Sequence, residues 1–322
     1  MNIIFHLFPP IIIVSYLILL YNKIQKSNIL SDNFYQKNVI ILLGGNIMNK
    51  KRKLKWKNII ALIIFLICFI IFIINIKDLI IWKLDSNKIE KQIEEIQEII
   101  EIDEVEENEK IEIIEQEEEI PKANPYWDYI KLNLINVDFN ELKQINSSTK
   151  GWIQVNGTNI NYPFVQAADN EYYLNHSFDK SWNSAGWVFL DYRNDINLLS
   201  KNTILYAHGR LDYTMFGSLR NITKSGWLNN SNNYVVKLST EVENTLWQVF
   251  SVYHIPTTND YIQVDFSSND EFSNWVNMLI DRSIYNFNTT VQENDNILTL
   301  STCYDDYEKV VLHAKLIKKE KR

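Results

Sequence analysis

With 322 residues, 46% hydrophobic and 13% aromatic, the chain is large enough for one sizeable core plus appendages. Its two cysteines exclude a disulfide framework, because Cys68 lies inside an uninterrupted apolar run and leaves Cys303 without a partner in an exported domain. A net charge of −8 offers no overall basic footprint, and no nucleic-acid partner is expected.

Residues 1–47 contain an apolar segment at 11–20 with no evident link to the remainder. Gly44-Gly45-Asn46-Ile47-Met48 is what a purine-rich ribosome-binding site, a short spacer and a start codon would encode, so translation is expected to begin at Met48. Residues 48–57 are a basic cluster, expected to stay on the cytoplasmic side. Residues 59–74 are wholly apolar, and 58–76 is predicted to cross the membrane, which sends everything after Ile76 outward. A cleaved signal peptide fits less well, since no small-residue cleavage site follows.

The acidity is local. Residues 90–119 hold 15 acidic and 2 basic residues, a charge of −13 that leaves about +5 for the rest. Isoleucines at 89, 93, 96 and 100 recur at helical spacing, which predicts a Glu-rich helix. The expectation is an acidic helical stalk over 77–122, ended by Pro121 and Pro125, with a coiled coil as the alternative.

Beyond 123 the pattern changes to short strand-like segments separated by Asn, Asp, Ser and Gly. They fall at 151–155, 160–165, 186–190, 203–207, 234–238, 247–253, 296–302 and 310–317. Eight short strands without alternating helices predict a mainly β domain over 123–322, a closed β-barrel. Two helices are expected with it. One spans 126–144 before the barrel. The other, at 270–285, places Phe272, Trp275, Met278 and Leu279 on one stripe.

Cys303 ends the strand-like run at 298–303. A lone thiol there is either a reactive nucleophile or a small buried hydrophobe. A cysteine nucleophile needs a proton-exchanging partner and a donor for the oxyanion. Among five histidines, His208 ends a strand beside Gly209, where a barrel delivers its last side chain to the rim. His176 is the second candidate, in a loop; His254 and His313 sit in strand-like segments and read as structural.

The run NTILYAHG at 202–209, followed by MFGSL at 215–219 and TLSTC at 299–303, resembles the sortase transpeptidases of Gram-positive bacteria. The likeness covers about 125–317. KGWIQVNGTNINYPFVQ at 150–166, AGWVFLDYRN at 185–194 and the helix before the cysteine strand are similar to class B. The resemblance implies a sortase-type barrel and a cysteine transpeptidase tethered to the outer face of the cell membrane by a single span. By the same resemblance, Cys303 cleaves a C-terminal sorting signal after its threonine through a thioester, and His208 protonates the leaving amine. The implied signal is of Asn-Pro-x-Thr type on a surface protein, and the implied acceptor is an amine of a cell-wall precursor or a pilin. No metal or organic cofactor is implied. Sortases usually carry an arginine on the strand after the cysteine; here Lys309 stands in the nearest equivalent place, and Arg193 and Arg210 are the alternatives. Asp305 resembles an acid near the cysteine of some class B members, though a turn role is the plainer reading. The alternatives to transfer are a cysteine peptidase that releases the acyl group to water and a non-catalytic surface scaffold.

Overall fold

A computed structural model describes residues 56–106, 108–114, 124–305 and 307–322. The expectations for residues 1–47, and most of the basic cluster, lie outside the described residues. Two compact units divide at Lys83 and Leu84. In the first, helix α1 (Trp56–Ile99, which continues into the second unit) is long and apolar enough to cross a membrane, and Leu62, Phe65, Ile70 and Phe72 are exposed along it.

The second unit holds a closed barrel. Strands β1 (Ile102–Glu104), β2 (Ile111–Ile113) and β3 (Ile135–Val137) precede it. The barrel strands are β4 (Thr149–Val155), β5 (Asn161–Val165), β6 (Phe189–Leu190), β7 (Asn202–Tyr206), β8 (Val235–Thr240), β9 (Glu243–Pro256), β10 (Ile297–Cys303) and β11 (Glu308–Lys321). They pair in the order β10-β7-β6-β5-β4-β8-β9-β11, and β11 returns to β10, so the eight expected strands form a ring with no free edge. The long strand β11 divides its outer edge: Lys309 to Lys315 pair with β10, and Lys318 to Glu320 pair with β2.

Alternation of apolar side chains explains the ring. Trp152, Phe164, Leu205, Leu238, Trp247, Leu300 and Leu312 all point into one core and are fully buried. A second cluster lies outside, where helix α5 (Asn269–Arg282) buries Phe272, Trp275, Val276 and Leu279 against Phe250, Tyr253, Ile297 and Val311. Ser268 caps α5 by accepting from the Glu271 amide, so this helix starts one residue before the sequence expectation.

Two sequence expectations change. The helix expected over 126–144 is two short helices, α2 (Tyr126–Tyr129) and α3 (Asn140–Ile145), separated by β3. Ile135 and Val137 are buried there, β3 pairs with β1, and the Asp138 carboxylate accepts from the Asn140 amide to restart the helix. The described part of the acidic segment, residues 77–106 and 108–114, is not a free helical stalk. Its helix ends at Ile99, and Ile89 and Ile96 are buried in the barrel's own core cluster with Ile93 and Ile100 packed against it. The Glu-rich face stays outward while β2 adds to the barrel sheet beside β11 and β1 forms a separate two-stranded sheet with β3, so the compact unit begins at Leu84 rather than 123. The remaining short helix, α4 (Ser225–Leu228), packs Trp227 and Leu228 into the core before β8.

Candidate active site

Three neighbouring strands deliver the three predicted site residues to one end of the barrel. Strands β7 and β10 run parallel, with Leu205 opposite Leu300 and Tyr206 opposite Ser301. Extending that register by two residues sets His208 beside Cys303. The Thr302 hydroxyl donates to the Ala207 carbonyl at 2.8 Å, which ties the two strand ends together. Gly209 then passes so close to Cys303 that a Cβ would overlap the Cys303 carbonyl oxygen, so only glycine fits there. On the other flank β10 and β11 are antiparallel, and Lys309 is the direct partner of Cys303. Its Nζ donates to Cys303 Sγ at 2.9 Å, and both residues are half-buried.

His208 Nε2 lies 2.7 Å from the Leu174 carbonyl. A carbonyl only accepts, so Nε2 carries the proton and Nδ1 is the nitrogen left to exchange one. The residue is half-exposed by surface area, yet desolvation is the main cause that pushes its pKa down to about 4; the Leu174 carbonyl opposes this and the charges of Arg210 and Lys309 add to it. At neutral pH the imidazole is therefore neutral in this arrangement.

The alternative donors are engaged elsewhere. Arg193 grips Asp191 with Nε at 2.8 Å and Nη2 at 2.7 Å, and also donates to the Ile262 carbonyl. Arg210 is buried against Asp212 and Thr214. The candidate His176 is stacked flat on Tyr172 at 4.0 Å with Nδ1 on that residue's carbonyl. Asp305 accepts from the Tyr307 and Glu308 amides, which makes it the turn residue between β10 and β11. His313 is fully buried, with Tyr253 on Nε2 and Thr299 on Nδ1.

Sequence reasoning missed Arg220. Its guanidinium lies over the Tyr304 ring at 4.3 Å and donates to the Tyr304 carbonyl, one residue past the cysteine. His254 also meets that ring edge-on at 4.4 Å and bonds Thr223, so the pair of side chains props the loop after Cys303. The only signal was position: Arg220 directly follows the MFGSL run.

A cavity of about 470 Å³ opens beside the same strands, lined by Asn170, Tyr192, Arg193, Asn259, Asp260, Ile262 and Gln263. It borders the β7–β10 seam. Tyr261 bonds Ser301 at 2.9 Å and Asp191 accepts from Tyr206 at 3.0 Å, each contact two residues short of Cys303 or His208. Among the described residues no cluster of His, Cys, Asp and Glu is arranged to hold a metal ion. A thiol with a cation against its sulfur and a neutral imidazole on the adjacent strand can carry out acyl transfer through a covalent intermediate.

The Sortase domain model matches residues 153–317. Sortase B of Staphylococcus aureus is 34% identical over 188 residues, covering 57% of this chain and 76% of that protein. Sortase B of Listeria monocytogenes is 34% identical over 186 residues, covering 56% and 75%. A crystal structure of a sortase B-like protein from Bacillus anthracis aligns with a TM-score of 0.52 at 42% identity, over 57% of this chain and 83% of that one. A Staphylococcus aureus sortase B–substrate complex aligns with a TM-score of 0.53 at 34% identity, over 56% and 84%.

Proposed function

Since this chain belongs to the sortase family and is similar throughout its barrel to class B members, we propose that Cys303, His208 and Lys309 are its catalytic residues in sorting-signal transfer. The Cys303 sulfur attacks the carbonyl after the threonine of a C-terminal signal, and a carbon–sulfur bond forms as the peptide C–N bond breaks. His208 Nδ1 takes the Cys303 thiol proton as the sulfur attacks and gives it to the departing amine. It takes one back from the incoming amine, whose attack on the thioester restores the thiol and forms the new amide.

Lys309 has two tasks in this reading. In the resting site its Nζ donates to the sulfur, and in the tetrahedral intermediate it faces the developing oxyanion. The 2.9 Å contact between its Nζ and Cys303 Sγ carries the proposal. Lysine is a compact charge on a flexible stem, whereas the family's arginine offers a planar fork that can hold two oxygens.

The signal is of Asn-Pro-x-Thr type, the kind the likeness to class B implies, and the cavity lined by Asn170, Asn259 and Gln263 is the place for it. A solved sortase B complexed with triglycine supports a short peptide amine as acceptor, here from a cell-wall precursor or a pilin. The apolar helix supports an anchor in the cell membrane with the barrel on the extracellular face.

The test is incubation of the chain with a sorting-signal peptide, with and without triglycine. Amide product that depends on triglycine is the expected result, and free acid at the same rate in both would make the protein a peptidase. Cys303→Ala should remove both products while leaving the circular dichroism spectrum unchanged. Turnover that survives Cys303→Ala overturns the assignment.

A further inference from the structure

Helix α1, just past the apolar stretch, reaches the two loops that hold His208. Ser86 is 1% exposed. It donates to Asp212 Oδ2 at 2.8 Å and accepts from Arg210 Nη2 at 2.6 Å, completing a buried knot in which Arg210 also holds Thr214 at 3.0 Å. Burial works against the charge on Asp212, but the Arg210 guanidinium and the Thr214 hydroxyl hold its carboxyl down at about 2.

That knot closes the loop that begins at His208. The Phe216 amide donates to the His208 carbonyl at 3.1 Å, Gly209 bridges Met215, and Tyr213 and Met215 take left-handed φ values of 63° and 52°. Such backbone costs energy for non-glycine residues and persists where surrounding contacts enforce it.

The second loop, 172–187, supplies the carbonyl that receives His208 Nε2. The same helix holds this loop too. Asp85 accepts from the Ser184 amide at 3.2 Å, Lys88 donates to Ser181 at 2.6 Å, and Gln92 accepts from the Phe178 amide at 3.1 Å. Ile89, fully buried between these polar contacts, anchors that turn of helix in the core.

We infer that the stretch of α1 from Asp85 to Gln92 is a positioning element for the reaction, with Ser86 acting on His208 through Arg210 and Asp212, and Asp85 acting through the loop of Leu174. It rests on the assignment of His208 as the proton carrier. The imidazole is set by its backbone and by one carbonyl, and the two loops that carry them are held elsewhere along their length by side chains of the anchor helix. The charged groups bearing on the ring are Arg210 and Lys309, with Cys303 on the neighbouring strand.

The experiment uses the full chain in detergent micelles. Ser86→Ala should lower kcat for transfer of a sorting-signal peptide to triglycine by about 10- to 100-fold with KM within about twofold, since small misplacements of a catalytic group have that scale. Ser86→Thr, which keeps the hydroxyl, should restore most of it. NMR of the histidine ring in a Cys303→Ala background should show the His208 titration moving up toward the ordinary imidazole value in Ser86→Ala, as the loosened loop admits water. Ile96→Ala, a cavity elsewhere on the same helix, should lower Tm without moving kcat or the titration. If Ser86→Ala does not fold, Asp85→Asn gives the same readings from the half-buried edge of the helix. The inference is overturned if these variants leave kcat and the His208 titration unchanged, or if Ile96→Ala reproduces the loss. A wild-type chain that forms no thioester with the peptide instead overturns the sortase chemistry, while the titration still reports on the positioning.

Discussion

The rim and the middle of this barrel use the same residue types to opposite ends. At the middle, His313 has a hydrogen-bond partner on each ring nitrogen, and Lys315 is buried in an ion pair with Asp295 at 3.2 Å. At the rim, His208 spends one nitrogen on a backbone carbonyl and Lys309 points at a sulfur. Burial lowers the proton affinity of both histidines, so a shifted pKa does not separate them. What separates them is saturation: both ring nitrogens of His313 are taken, whereas His208 keeps Nδ1. A strand end can leave a polar group half-used because water and substrate reach it, and a strand centre cannot.

The strongest way to break that contrast is to remove the rim imidazole. His208→Ala should slow transfer by about 10²- to 10⁴-fold, the range of general acid–base assistance, with little change in Tm. Steady-state kinetics with triglycine and thermal melts decide it. A large Tm loss with modest kinetic effect would make His208 resemble His313.

Next in size is Lys309. Loss of an oxyanion donor costs about 10²- to 10³-fold in turnover, so Lys309→Ala should fall by that order. Lys309→Arg should be tolerated or faster, since it keeps the charge and regains the fork. A near-neutral Lys309→Ala beside a crippling Arg220→Ala would move the donor to the cation that sits over Tyr304.

The interior should answer in stability instead. His313→Gln should lose about 1 to 3 kcal/mol, the cost of a disturbed buried polar pair, with kcat nearly unchanged. Burial is the main cause that pulls the pKa of His313 down to about 3, so the native ring stays neutral while the unfolded one, near ~6.5, takes up a proton. The native state therefore binds fewer protons below about pH 6.5, and the wild-type chain should lose stability as pH falls from there toward 3. Above about pH 6.5 both states are neutral and the group contributes no slope. Thermal melts of wild type and variant across this window should converge as pH falls, because the variant lacks that titration; parallel curves would count against a neutral buried His313.

How far the sequence carried depended on whether a residue's partners are side-chain patterns or distant backbone. The eight barrel strands were legible because each alternates or runs apolar for five or more residues between turn formers, and Cys303 was legible as the last residue of β10, whereas His208, expected to end a strand, lies two residues past the end of β7 at Tyr206. Strands β1 and β2 were not. Ile102-Asp103-Glu104 and Ile111-Glu112-Ile113 are three residues each within a glutamate-rich stretch, and their partners lie far away in β3 and at the end of β11. The burial of Ile89 and Ile96 shows the limit of periodicity: the apolar stripe was visible, but its counterpart, the barrel core, has no local trace. The carbonyl of Leu174 that orients His208 is backbone, which no residue type encodes. Arg220 was passed over for a similar reason, since its contact with Tyr304 joins a short 3₁₀ turn to the loop after Cys303, 84 positions on.

The smallest expected effect belongs to His176, and it sharpens the comparison. His176 lies in the same 172–187 loop that receives His208, but Tyr172 stacks on its face and takes its Nδ1, while Trp182 closes its edge at 5.7 Å. Like His208 it spends one nitrogen on a backbone carbonyl, but it lies on no strand that pairs with the cysteine strand β10. If alignment with Cys303 decides which histidine works, His176→Ala should change kcat by less than about threefold, well below the general-base range. A loss as large as that of His208→Ala would mean that the β7–β10 register does not select the proton carrier.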